Sequence, residues 1–125
     1  MDDILIQQTE DTPEINFSAK TGLLKFAGRA YSNEINTIFV KLNAWLDEYL
    51  KNPNNSTTIT LQLDYSNTVF NRLVFEFIKK SKAIIDLGKN LHIKWYHYKD
   101  DEDSIDSCAL LSKVINMKIE TIELD

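Results

Sequence analysis

Leu61-Gln62-Leu63-Asp64-Tyr65-Ser66-Asn67-Thr68-Val69-Phe70-Asn71-Arg72 decides how this chain is read. From Thr57 to Leu63 the residues alternate, with Ile59, Leu61 and Leu63 on one side and Thr58, Thr60 and Gln62 on the other, which predicts a strand with one buried face. A short polar turn follows, and from Thr68 to Leu87 the apolar residues recur at helical spacing, with Gly88 as the residue beyond the helix. Phe70, Leu73, Val74, Phe77, Ile78, Ile84 and Ile85 share the face expected in the core. Thr68, Arg72, Phe75 and Lys79 fall on the opposite side, with Asn71 and Lys82 at its margin. The start of such a helix has unsatisfied N–H groups and a partial positive charge, so it suits an anion or a hydroxyl that acquires one. A hydroxyl, an arginine one turn on and an outward aromatic make a compact partner-binding face. The plainer alternative is that Thr68 is only a helix cap.

On either side of this stretch the same alternation of elements continues. Ile4-Leu5-Ile6 opens the chain within an N-terminal segment, residues 1–10, as a candidate edge strand. Ile15 and Phe17 alternate with polar neighbours, Ser18 to Gly22 is a turn, and Leu23 to Ala27 resumes, which predicts a hairpin. Residues 28–32 read as loop, and Asn33 is placed as a helix N-cap. Ile35, Ile38, Phe39, Leu42, Trp45, Leu46 and Tyr49 then form one stripe at 3.6 residues per turn, so Trp45 is core by spacing. Leu91 to Tyr98 reads as a strand, Asp101 to Ile115 as a helix and Ile119 to Leu124 as a last strand. The expectation is one α/β domain over residues 1–125: a mixed sheet with an N-terminal hairpin and three helices packed on it.

Composition narrows the function. The 125 residues carry 14 Lys and Arg against 19 Asp and Glu, a net charge of −5. Such a chain is a poor general binder of nucleic acid, whose phosphates require a basic face. At 43% apolar and 26% charged the composition is that of an ordinary globular chain. No apolar run is long enough to span a membrane. The acidic start and the single Cys108 suit a cytoplasmic, reducing setting. His92 and His97, five residues apart in a strand, face opposite sides, so a shared metal is not expected. Asp100 to Asp103 sit where a helix begins and read as capping and dipole partners. Cys108 reads as a small buried thiol. Gly22, Gly28 and Gly88 are scattered, so no phosphate loop, cofactor motif or catalytic constellation is visible.

Several stretches carry a resemblance to a known family. Gly28-Arg29-Ala30-Tyr31-Ser32-Asn33-Glu34, Phe39, Trp45-Leu46-Asp47-Glu48-Tyr49, Leu63-Asp64-Tyr65-Ser66-Asn67-Thr68, Trp95-Tyr96, Asp100 to Asp103 and Thr12-Pro13-Glu14-Ile15 resemble the bacterial SiaC family of regulatory phosphoproteins, in unbroken order over residues 11 to 124. That family is similar to STAS domains, the anti-anti-sigma fold. The resemblance implies a non-enzymatic partner switch without a cofactor. A protein kinase phosphorylates the Thr matching Thr68, a PPM-type phosphatase removes the phosphate, and the unmodified form binds and activates a diguanylate cyclase in cyclic di-GMP signalling and biofilm control. Together with the outward face of the second helix, this makes Asn67, Thr68, Asn71, Arg72, Phe75 and Lys79 the expected partner-binding residues. Arg29 and Tyr31 match family positions as well, for partner contact or for a fold role. The chain departs from the family in having Ser32 for a proline and Val69-Phe70 for two serines, while the basic residue at Arg72 is kept.

Overall fold

A computed structural model describes all of residues 1–125. Its elements in chain order are β1 (Ile4–Ile6), β2 (Glu14–Ser18), β3 (Leu23–Ala30), α1 (Ile35–Tyr49), β4 (Ser56–Ser66), α2 (Thr68–Ser81), α3 (Ala83–Asp86), β5 (Asn90–Tyr98), α4 (Glu102–Ile115) and β6 (Glu120–Leu124). The six strands form one sheet in sequence order. β1, β2 and β3 are an antiparallel meander, whereas β3, β4, β5 and β6 run parallel. Parallel neighbours need crossovers, and crossovers of one hand that step in one direction put their helices on one face. The burial pattern agrees: Ile15, Phe17, Leu24, Phe26, Ile59, Leu61, Ile93 and Trp95 are buried, and their alternating neighbours are not. The mixed α/β layer with a starting hairpin and three long helices is the architecture read from the sequence.

The core is aromatic. Five of the six phenylalanines, Phe17, Phe26, Phe39, Phe70 and Phe77, are fully buried. Phe26 of β3 meets Phe17 at 5.4 Å, Phe77 at 5.9 Å and Phe70 at 6.2 Å, each edge to face. Such contacts add to the roughly 2–3 kcal/mol gained by burying each ring. They tie α2 to β2 and β3, and Phe39 of α1, stacked on Phe26 at 6.2 Å, joins α1 to the same strands. At the far end, the Tyr49 and Thr57 hydroxyls are hydrogen-bonded at 2.7 Å in the interior. Gly22 turns β2 into β3 with φ +73, and a Cβ there would sit 2.5 Å from the Ser56 carbonyl oxygen. Only glycine fits that turn.

Several boundaries differ from the sequence reading. β3 continues to Ala30 through a register shift at Gly28/Arg29, so Arg29 is strand and not loop. β4 continues to Ser66, which leaves Asn67 as the only residue between strand and helix. The polar residues Asp64 to Ser66 remain extended because the end of β3 supplies their ladder. Helix α1 begins at Ile35, and Ser32 Oγ, not Asn33, accepts the Glu34 amide at 3.1 Å. The helix expected to run unbroken from Thr68 to Leu87 stops at Ser81 and restarts at Ala83. The break re-phases the helical face of α3, so Ile84 stays buried while Ile85, expected in the core, is 43% exposed.

Candidate functional site

The end of β4 and the start of α2 bring the candidate residues together. Asn67 has extended backbone and its Oδ1 accepts the Phe70 amide at 2.9 Å, so Asn67 is the N-cap. The Asn67 amide donates to the Ala30 carbonyl at 3.0 Å, which fastens this turn to the end of β3. Thr68 is the first helical residue and is exposed. The reading of Thr68 as nothing more than a cap is therefore corrected: its neighbour performs that task. The amides of Thr68 and Val69, in the first turn, have no intrahelical acceptor. Phe70 anchors this turn from below with a side chain that is fully buried.

Helical spacing then carries the remaining residues to one place. Thr68, Asn71, Arg72, Phe75, Glu76 and Lys79 of α2 line an open groove of about 450 Å³. Its other wall is Ser107, Leu110 and Val114 of α4. Phe75, expected to point outward, is half-buried and packs against the core from the groove side, because α4 lies beside it. Asn71 Oδ1 accepts the Ser66 hydroxyl at 2.7 Å and so braces the strand end against the helix. The α4 wall is absent from the sequence expectations. Its signal is there all the same: Ser107, Leu110 and Val114 follow i, i+3 and i+7 spacing beside the buried stripe of Cys108, Leu111 and Ile115.

The basic residues on and beside this face are partly neutralised or engaged. Arg72 Nη1 lies 3.6 Å from Glu76 Oε1. Lys82 Nζ donates to the Ile115 carbonyl at 2.6 Å, at the C-terminal end of α4, where a cation is favoured. Lys80 is paired with Asp47 of α1. Lys79 is exposed and has no ion-pair partner.

A second, smaller hollow of about 130 Å³ adjoins the groove at Ser107, between the end of β4 and the start of α4. Asp64, Asp101 and Asp103 line it. Asp101 Oδ1 accepts the Ser104 amide at 3.1 Å as the cap of α4, the role expected of this acidic turn. The ground beyond the strand ends is thus acidic on the α4 side and basic along α2.

Arg29 and Tyr31 are not part of the groove. Arg29 lies across from Tyr65 in the ladder, its guanidinium is 5.4 Å from the Tyr31 ring, and Tyr31 meets Tyr65 edge to face at 5.6 Å. The trio braces the ends of β3 and β4 next to Asn67. His92 is exposed on the helix-free face of β5 and His97 is half-buried on the other, so they do not meet. Cys108 is 4% exposed, and burial pushes its thiol up to about 11. A thiol held protonated in this way is a poor nucleophile. No helix is long and apolar enough to cross a membrane.

Comparison with known proteins gives this geometry a setting. The chain is 22% identical over 102 residues to an uncharacterized protein of Pseudomonas aeruginosa (strain UCBPP-PA14), covering 82% of this chain and 81% of that one. The fold superposes on SiaC of Pseudomonas aeruginosa with a TM-score of 0.86 at 17% identity, over 99% of this chain and 100% of that one. It also superposes, with a TM-score of 0.84 at 17% identity and over 97% and 98% of the two chains, on a structure of the diguanylate cyclase SiaD in complex with its activator SiaC from Pseudomonas aeruginosa. The model of the SiaC family regulatory phosphoproteins matches residues 6–124, nearly every element from β1 to β6. The match runs through the capped turn and both walls of the groove, and on it this chain belongs to the SiaC family of regulatory phosphoproteins.

Proposed function

We propose that this chain is a non-enzymatic phospho-switch. Its unmodified form docks a protein partner on the α2/α4 groove, and phosphate on Thr68 blocks that docking. The partner class is a diguanylate cyclase, in keeping with the relative that is the activator of one. A protein kinase loads Thr68 and a PPM-type phosphatase clears it. One observation carries the reading: Asn67 supplies the cap, so the exposed Thr68 is free to line a groove whose apolar surface comes from Phe75, Leu110 and Val114.

The chemistry follows from position. A phosphate adds about −1.5 to −2 charge near neutral pH. At the first turn of α2 the unpaired amides and the helix dipole accept that charge without unfolding the helix. For a partner lying in the groove the same phosphate must be desolvated, and it faces any acidic group there as repulsion. The switch acts as a local block, with the fold unchanged.

The test is binding to the diguanylate cyclase of the native host. Thr68→Ala is expected to bind as the unmodified chain does, and the chain phosphorylated at Thr68 at least about tenfold more weakly. Equal binding by the phosphorylated and unmodified chains would sink the proposal. Intact mass of the protein from its host, with and without phosphatase, shows whether position 68 is loaded.

A further inference from the structure

Thr68, Arg72, Glu76 and Lys79 occupy positions i, i+4, i+8 and i+11 of α2, and all four line the groove. Side chains three and four residues apart on a helix are neighbours, so each is placed to meet the next. Only the middle link is closed: Arg72 is paired with Glu76 at 3.6 Å, with 58% and 64% of their side chains exposed. That link has the less favourable order, base before acid along the helix. The two open links, a phosphate at 68 with Arg72 and Glu76 with Lys79, both have the better order, acid before base.

Resting on the switch reading above, we propose that α2 carries an ion-pair relay. A phosphate on Thr68 draws Arg72 away from Glu76, and the released Glu76 carboxylate turns to Lys79. A guanidinium prefers a doubly charged, bidentate phosphate to a single exposed carboxylate, and the exposed pair it gives up is a weak one. Lys79, unpaired in the unmodified chain, is the nearest cation along the stripe to receive Glu76.

The relay extends the reach of the modification. Thr68 and Lys79 are eleven residues apart, about 16 Å along the helix. That is beyond the roughly 8 Å screening length at physiological salt, so the phosphate scarcely acts on Lys79 through solvent. α4 contributes no charged residue to the groove lining, so its charge is that of α2: +1 for Arg72, −1 for Glu76 and +1 for Lys79, a sum of +1. Phosphate takes the sum to between about −0.5 and −1. The groove reverses sign, and its one free cation is masked. A partner that places an acidic side chain on Lys79 loses that contact although the phosphate is three turns away.

The relay is tested by the acylation rate of Lys79, read by peptide mass spectrometry, in the full chain with and without phosphothreonine installed at position 68. Phosphorylation is expected to slow acylation of Lys79 about threefold, because a carboxylate beside an amine favours its unreactive charged form. In Glu76→Gln, an exposed and fold-neutral change, phosphorylation is expected to leave Lys79 unaffected. An unchanged rate in the parent chain, or an equal slowing in Glu76→Gln, overturns the relay. Partner binding measured on the same samples judges the switch separately: phosphorylation that weakens binding while leaving Lys79 untouched keeps the switch and removes the relay.

Discussion

The side-chain oxygen of Asn67 accepts the amide hydrogen of Phe70 at 2.9 Å, and Phe70 is fully buried against Phe26 and Phe39. Thr68 lies between these two residues, one capping the helix and the other anchoring it in the core. Its backbone is held from both sides and its hydroxyl is uncommitted. A phosphate acceptor is well placed where the surrounding backbone does not depend on it.

The division of labour between neighbours predicts opposite outcomes at adjacent positions. Asn67→Ala removes the cap and is expected to cost about 1 kcal/mol, whereas Thr68→Ala stays within about 0.5 kcal/mol of the parent. Urea denaturation of the two variants measures both. A larger loss at Thr68 than at Asn67 would return the cap to Thr68.

Binding should depend on residues of α4 that do not support the fold. Leu110 is 55% exposed and Val114 48% exposed, yet both line the groove. Leu110→Asp and Val114→Asp are expected to keep the parent stability within about 0.5 kcal/mol. Each is expected to weaken partner binding by about tenfold or more, through burial of an unpaired charge in the interface. Titration calorimetry against the partner cyclase, with thermal unfolding as the control, separates the two effects.

Lys82 ties the broken end of α2 to the last turn of α4 through the Ile115 carbonyl at 2.6 Å. Lys82→Met retains most of the aliphatic stem and removes the charged hydrogen bond, so a loss of about 1–2 kcal/mol is expected. Because the tie joins the ends of the two helices that wall the groove, partner affinity is expected to fall as well. Hydrogen exchange should quicken at the C-terminal end of α4 before it changes in the sheet.

Cys108 makes stability depend on alkaline pH. Its folded value, raised from 9.0 to about 11 by burial, means that the folded chain holds the proton more tightly than the unfolded chain. The resulting stability is fully present below pH 9 and is lost as pH rises through about 11, a difference on the order of 2 kcal/mol. Unfolding free energies at pH 8 and pH 10.5 should therefore differ more for the parent than for Cys108→Ala. At neutral pH, alkylation of the folded protein should be slow and should track unfolding.

Much of the fold was legible because local order and tertiary demand coincide. Of the stripe read from spacing, Ile35, Phe39, Leu42, Trp45, Leu46 and Tyr49 are buried and Ile38 is half-buried against them, and Ile59, Leu61 and Leu63 point into the core while Thr58 and Gln62 do not. Where periodicity misleads, a neighbour distant in sequence has the deciding influence. Asp64 to Ser66 look like a turn but are held as strand by β3. Ile85 has the spacing of a core residue and loses it to the break at Lys82, whose side chain is claimed by α4. Arg72 is the local exception: its partner Glu76 stands one turn on along the same helix, where spacing alone places it.

The sequence by itself determined the alternation of strands and helices, the core faces of α1 and α2, and the grouping of Thr68, Arg72, Phe75 and Lys79 on one side of a helix. These follow from periodicity, which is a local property of the chain. Only the tertiary structure decided that this side is one wall of a groove, that Leu110 and Val114 form the other, and that Phe75 is its half-buried floor. Packing one helix against another depends on which crossover lies beside which, and no spacing within a single helix carries that information. Tertiary structure likewise decided that the cap belongs to Asn67, since the register of β4 against β3 sets where the strand ends and the helix begins.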